Sequence, residues 1–155
     1  MDKMPIISLI FYSIPEAYLL FNFGLIVLGQ KINLLRIIAS VLTFVSLSYF
    51  TRVLPLPFGL HTLIGIVGII IIFKLILRLN LKKSIIATLI SASTLIALEN
   101  IVLYILQISF SLSLKEIWQS PTLRTVIGWP HLLIWAVITW YIYYNNINFK
   151  KHKDI

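Results

Sequence analysis

Cysteine is absent from the 155-residue chain, which excludes disulfides, thiolate metal ligands and thiol nucleophiles. Charge is scarce too. Charged residues make up 12% of the chain, about half the share of an average soluble domain, and only five of them are acidic. There is no phosphate-cradling glycine loop, no H-E-x-x-H helix, no G-x-S-x-G elbow, and no nucleophile and base at a recognisable spacing. The chain therefore does not read as an enzyme, and it offers no catalytic residue, metal set or cofactor motif. What it has in abundance is apolar length: hydrophobic residues are 59% of the sequence and the mean hydropathy is +0.98.

That length falls into five stretches separated by nearly all the charges. A membrane-crossing helix needs about 20 mainly apolar residues, and only helices or closed barrels satisfy the backbone inside lipid. The expected fold is all-α: one polytopic integral membrane bundle of five transmembrane helices. The spans are about 5–28, 34–53, 60–77, 84–106 and 126–144. Pro15 is expected to divide the first segment, with Ser13 capping its second part. Lys3 makes a weak positive start but no A-x-A-like site follows, so this segment is expected to be retained. Leu54-Pro55-Leu56-Pro57-Phe58-Gly59 cannot be regular helix. The connection from Gln107 to Thr125 contains Leu114 to Trp118, which suits a short interfacial helix. Pro130 falls in the first turns of segment five. Trp140, Tyr141, Tyr143 and Tyr144 form an aromatic belt at its end. Residues 145–155 make a basic cytoplasmic tail.

The net charge of +8 fits a membrane better than nucleic acid. With five spans, Lys31, Arg36, Lys74, Arg78, Lys82, Lys83, Lys150, Lys151 and Lys153 share one side, against Lys3, Arg52, Lys115 and Arg124 on the other. The excess places the N-terminus outside and the C-terminus in the cytoplasm of a cell-membrane protein. Membrane lipids are then obligatory partners. A faint internal repeat relates Asn33–Ser40 to Asn80–Thr88, and Phe58-Gly59-Leu60-His61 echoes Gly128-Trp129-Pro130-His131. Parallel repeats of this kind occur in transporters. Small residues at Ala87/Ser91, Thr88/Ala92 and Ser93/Ala97, and Ala39, Ser40, Thr43 and Ser46 in segment two, allow close helix approach. They predict that helices two and four are central and helix three peripheral, and they suit a homo-oligomer surface.

Glu16 and Glu99 each stand alone in a long uncharged window. A charge at the bilayer centre costs about 2.5–3.5 kcal/mol on insertion scales, so such residues turn inward and are functional candidates; the plain alternative is a protonated or hydroxyl-bonded structural role. Asn100 adds a donor and an acceptor beside Glu99. His61 and His131 are read as starting helices three and five at the outer end, with Trp129 as an aromatic lip. Arg52 and Arg124 are within reach of the glutamates as ion-pair partners, or they snorkel to headgroups. The expected ligand-binding set is Glu16, Glu99, Asn100, His61, Trp129, His131, Arg52 and Arg124, around a pocket among the outer ends of helices one, three, four and five.

Leu54-Pro55-Leu56-Pro57-Phe58-Gly59-Leu60-His61, Glu99, and Gly128-Trp129-Pro130-His131-Leu132-Leu133 together resemble the multi-spanning N-terminal sensor region of Gram-positive GHKL-type sensor histidine kinases, the relatives of quorum-sensing peptide receptors. The resemblance covers Ile6 to Tyr144. It implies a sensor-like module without the kinase domain, in which helix five passes a signal to a cytoplasmic partner. The expected function is thus a membrane receptor for a small or amphipathic ligand. The alternative is a small transporter, or the membrane substrate-binding subunit of an importer, using Glu16 and Glu99 for proton, cation or solute binding. A third reading is an assembly or scaffold subunit.

Overall fold

The computed structural model describes residues 9–54, 60–110 and 121–145. Among these the chain is helical: a π-helical turn, Leu9–Ser13, leads into α1 (Ile14–Val27), followed by α2 (Leu34–Val53), α3 (Leu60–Leu75), α4 (Leu81–Phe110) and α5 (Pro121–Tyr144).

Local chemistry sets the boundaries. Pro15 sits in the first turn of α1. A proline there lacks an N–H and crowds the carbonyl four residues back. The chain meets this by widening into a π turn just ahead of the proline, not by breaking. Ser13 is accordingly helical (φ −69°, ψ −30°) and makes no capping hydrogen bond, so the expected serine cap is not formed. At the other end of α1, Gly29 takes φ 60°. Its N–H bonds the Ile26 carbonyl and that of Gln30 bonds Leu25, both at 2.9 Å, the paired closure of a Schellman motif. Asn33 and Asn80 cap α2 and α4. Each side-chain oxygen accepts the N–H three residues on, from Arg36 at 3.2 Å and from Lys83 at 2.9 Å. The similarity between Asn33–Ser40 and Asn80–Thr88 thus coincides with two equivalent helix starts. Leu79 closes the end of α3 by bonding Phe73 at 3.0 Å, with Arg78 in the left-handed region at φ 57°.

Neighbouring helices pack against each other in the order α1–α2–α3–α4, and α1 closes the ring against α4; α5 lies in the groove between α1 and α4. Tyr12 meets His131, and Phe23 meets Trp135 further along both helices, so α1 and α5 run in the same direction. α1 is the central element: Ala17, Leu20, Phe21, Asn22, Phe23, Gly24, Leu25 and Val27 are all buried. This corrects the expectation that helices two and four are central. On α2 only Ser40 of the four small residues is buried, while Ala39, Thr43 and Ser46 face outward; on α4 the buried stripe is Ser84, Ala87, Thr88 and Ser91, and Ser93 and Ala97 are exposed. A glycine on α1 brings three helices together. A Cβ on Gly24 would lie 2.6 Å from the tip of Phe73 on α3 and 2.8 Å from Ser91 Oγ on α4. Around this point Phe21 packs edge-on to Phe73 (5.2 Å) and Phe44 (6.0 Å).

The outer faces are as apolar as the core. Phe11 on the π turn, and Leu42, Leu63, Leu89 and Val137 on α2 to α5, are each more than half exposed. α2, α4 and α5 are long and apolar enough to cross a membrane; the other two apolar helices, Phe11–Val27 and Leu60–Leu75, are shorter. At 1.5 Å per residue the short pair reach about 24–26 Å and α4 about 45 Å, against a hydrocarbon core of about 30 Å. Two boundaries differ from expectation. α4 continues to Phe110 and α5 begins at Pro121, because neither end meets a residue that stops a helix and Pro121 suits the first helical position. Pro130 is therefore internal to α5, not in its first turns. The expected short helix at Leu114 to Trp118 and the basic tail beyond Asn145 lie outside the described residues.

Candidate functional site

The ring of four helices forms a partly open cavity of about 230 Å³ near one end. α1 starts, α2 ends, α3 starts and α4 enters its second half at this end, so the four helices contribute residues from matching levels. The polar lining comes from the helix ends: Ser13 and Glu16, Ser48 and Thr51, His61 and Thr62. Deeper along the same helices the wall is Leu20, Phe44, Val45, Ile69 and Ala92. The cavity is thus amphipathic along its length, with hydroxyls, one imidazole and one carboxylate toward the end and hydrocarbon toward the middle. Thr51 Oγ1 donates to the Ser48 carbonyl at 3.0 Å, which holds its methyl and hydroxyl against the lining.

Glu16 is half-buried in the first turn of α1, directly after the π turn. It has an interaction partner within the protein. His61 is the second residue of α3 and exposed, at the rim of the same cavity. Glu99 is half-buried and also partnered. It follows Leu95 and Ile96 by one helical turn, so it continues the cavity-facing stripe of α4 toward the helix end without lining the cavity itself. Asn100 is exposed and spends its amide donor on the Ile96 carbonyl of its own helix at 2.7 Å.

The remaining expected site residues lie elsewhere. His131 is buried, 2% exposed, near the middle of α5 and not at its start. Its Nε2 is 3.4 Å from Tyr12 Oη, and the two rings meet edge to face at 5.9 Å. Trp129 points outward from α5. The cavity described above lies among α1 to α4, with α5 packed outside that ring. Arg52 and Arg124 belong to α2 and α5, but their side chains lie outside the described residues. No group of three metal-ligating residues occurs among the described residues.

Tyr12 was not legible as a functional residue. It lies on the π turn, one turn before Glu16, and its ring covers Gly128 so closely that a Cβ there would fall inside it. The same helix start therefore presents a carboxylate to the cavity and a phenol to α5. Ser48, Thr51 and Thr62 were also missed, since hydroxyls in apolar helices give no signal of which way they face. Two further buried groups, Ser91 Oγ and Trp135 Nε1, have no hydrogen-bond partner among the described residues. No family model, curated protein or solved structure matches this chain.

Proposed function

We propose that the chain is a cell-membrane receptor-like module, with all five helices crossing the bilayer, the N-terminus outside and the basic end in the cytoplasm. A small ligand occupies the cavity within α1 to α4, and α5 carries the response to a protein partner, as the resemblance to kinase sensor regions implies. Support for the membrane setting comes from the apolar outer faces of every helix and from the basic residues gathered at one end, where Lys31, Lys74, Arg78, Lys82 and Lys83 are all exposed.

One observation carries the receptor reading: Glu16 at the cavity and Tyr12 against Gly128 and His131 share the π-to-α junction of α1. Single π turns concentrate at functional sites because they can be redistributed along a helix at low cost. A ligand that prefers one setting of this junction would shift Tyr12 against α5, and only such a differential preference can move the equilibrium. Filling the cavity from within is the direct test. Ala92→Phe places a ring where the ligand would sit, and spin labels on exposed positions Tyr18 and Val137 report the α1–α5 separation in lipid nanodiscs. The filled variant is expected to shift the distance distribution, and Tyr12→Ala to abolish the shift. An unchanged distribution in the filled variant rejects coupling between cavity and α5.

The carrier reading rests on a different feature, the carboxylate lining an internal cavity, since carboxylates within spans relay protons or bind cations. It predicts proton or solute flux in reconstituted vesicles carrying a pH-sensitive dye, and flux that is lost in Glu16→Gln. Vesicles silent under every imposed gradient reject it.

A further inference from the structure

We infer that the groove between the end of α1 and the end of α5 holds the headgroup of an anionic glycerophospholipid, with its phosphate at Lys31 and the start of its acyl chains against Ile26, Ile32 and Ile142. This goes beyond the receptor reading and uses no residue of its cavity; it rests only on the bundle standing in a bilayer. The groove is open and has a volume of about 450 Å³, within the range of about 300–1,000 Å³ usual for small-ligand sites. Gly29, at φ 60°, turns the chain away from α1, so that Gln30, Lys31 and Ile32 line the groove together with Ile142 and Tyr143 of α5.

The polar groups of this lining are mostly donors. Lys31 is exposed and offers an ammonium. Gln30 gives one amide hydrogen to the Leu28 carbonyl at 3.1 Å and keeps the other. Among the described residues the backbone N–H groups of Lys31 and Ile32 bond no backbone carbonyl. Such a set suits phosphate oxygens, which only accept. The sign of the surroundings agrees. Lys74, Arg78, Lys82 and Lys83 are exposed at the same end, and the described acids, Glu16 and Glu99, lie toward the other. The sequence continuing from Asn145 adds Lys150, Lys151 and Lys153 against Asp154 alone, so pairing with that one acid leaves the balance positive.

The walls decide between a lipid and a free phosphate. Ile26, Ile32 and Ile142 offer apolar surface from which a free phosphate gains nothing, whereas the first methylenes of an acyl chain bury against it. Tyr143 stands at the boundary between apolar and polar zones, as interfacial aromatics do, and the Lys31 stem can lie on apolar surface with its ammonium at the headgroup. A lipid held here ties the end of α1 to the end of α5.

The test is native mass spectrometry of the full chain, released from detergent containing equal amounts of phosphatidylglycerol and phosphatidylcholine. One phosphatidylglycerol is expected to be retained in preference to phosphatidylcholine. Lys31→Gln is expected to lower that retention by about fivefold, the worth of one lysine at an anionic surface. Lys74→Gln loses the same charge at the same end but outside the groove, and is expected to leave retention unchanged. Ile142→Trp fills the groove, keeps every charge and is expected to lose the lipid; where it does not fold, the contrast between the two lysine variants decides. Glycerol 3-phosphate, a headgroup without chains, is expected not to compete at equal concentration. Competition by it identifies a free-phosphate site and overturns the lipid assignment. Equal retention of the two lipids, equal losses in both lysine variants, or full retention by folded Ile142→Trp overturns the proposal as well.

Discussion

Gly24 shows how much of this bundle depends on single atoms. The Phe73 ring that a new methyl would strike is fully buried and packed on Phe21, so it has no room to retreat. Gly24→Ala is expected to lower stability by about 1–3 kcal/mol through overpacking, which outweighs the gain of about 1 kcal/mol in helix propensity. Gly65→Ala has only the propensity gain and is expected to be neutral or mildly stabilising, since its Cβ would meet open space. Thermal unfolding in detergent separates the two; equal effects would show that close approach at Gly24 is not a constraint. Ser91 bears on the same contact. Its hydroxyl makes no hydrogen bond among the described residues, so Ser91→Ala is expected to cost nothing. Because it removes one of the three nearest atoms that a Cβ at position 24 would meet, it should recover part of the Gly24→Ala loss. Simple additivity of the two substitutions would sink that coupling.

Among the elements, α2 and α4 begin in the same way and should respond in the same way. Asn33→Ala and Asn80→Ala each leave a helix-start N–H without its side-chain acceptor, and each is expected to cost about 0.5–2 kcal/mol. Replacement by serine or aspartate, read by the same unfolding midpoint, should restore most of it; rescue by neither would mean that the caps do not stabilise these helices. The element boundaries were legible in the sequence wherever such punctuation exists. Gly29 and Asn33 sit where helices stop and start because each offers a conformation or acceptor that other residues supply poorly; Asn80 does the same for α4, which starts at Leu81 and not at the expected Ser84. Ser13 and Val126 misled for the opposite reason. A serine before proline resembles a cap, yet the π turn carried the helix straight through it. An apolar run beginning at Val126 marks where lipid contact starts, not where backbone hydrogen bonding starts, and α5 extends to Pro121 ahead of it.

At the scale of the whole molecule, α2, α4 and α5 are long and apolar enough to cross a membrane, and the cysteine-free chain makes the proposed topology directly measurable. Single cysteines at Lys31, Arg78 and Leu54, all exposed, should divide into two classes toward a membrane-impermeant maleimide added to intact cells. Leu54→Cys is expected to label, and Lys31→Cys and Arg78→Cys only after permeabilisation. Labelling of all three from one side would show that α1 or α3, the two shorter helices, fails to cross.

The helical architecture of the described residues, with most charges near the helix ends, was determined by the sequence alone. Hydropathy over 20 residues reflects the cost of leaving backbone groups unpaired in hydrocarbon, and that cost is the same whatever the helices touch. Which helix sits at the centre, and which acid shares a cavity with which histidine, only the tertiary structure decided. Helices apolar on all faces carry no amphipathic stripe to point inward. Their arrangement is decided by side-chain fit, such as Gly24 against Phe73 and Gly128 against Tyr12, between residues far apart in the chain. That is why α1 became the core, α5 stayed outside the ring, and Glu16 and His61 were joined while His131 was claimed by Tyr12.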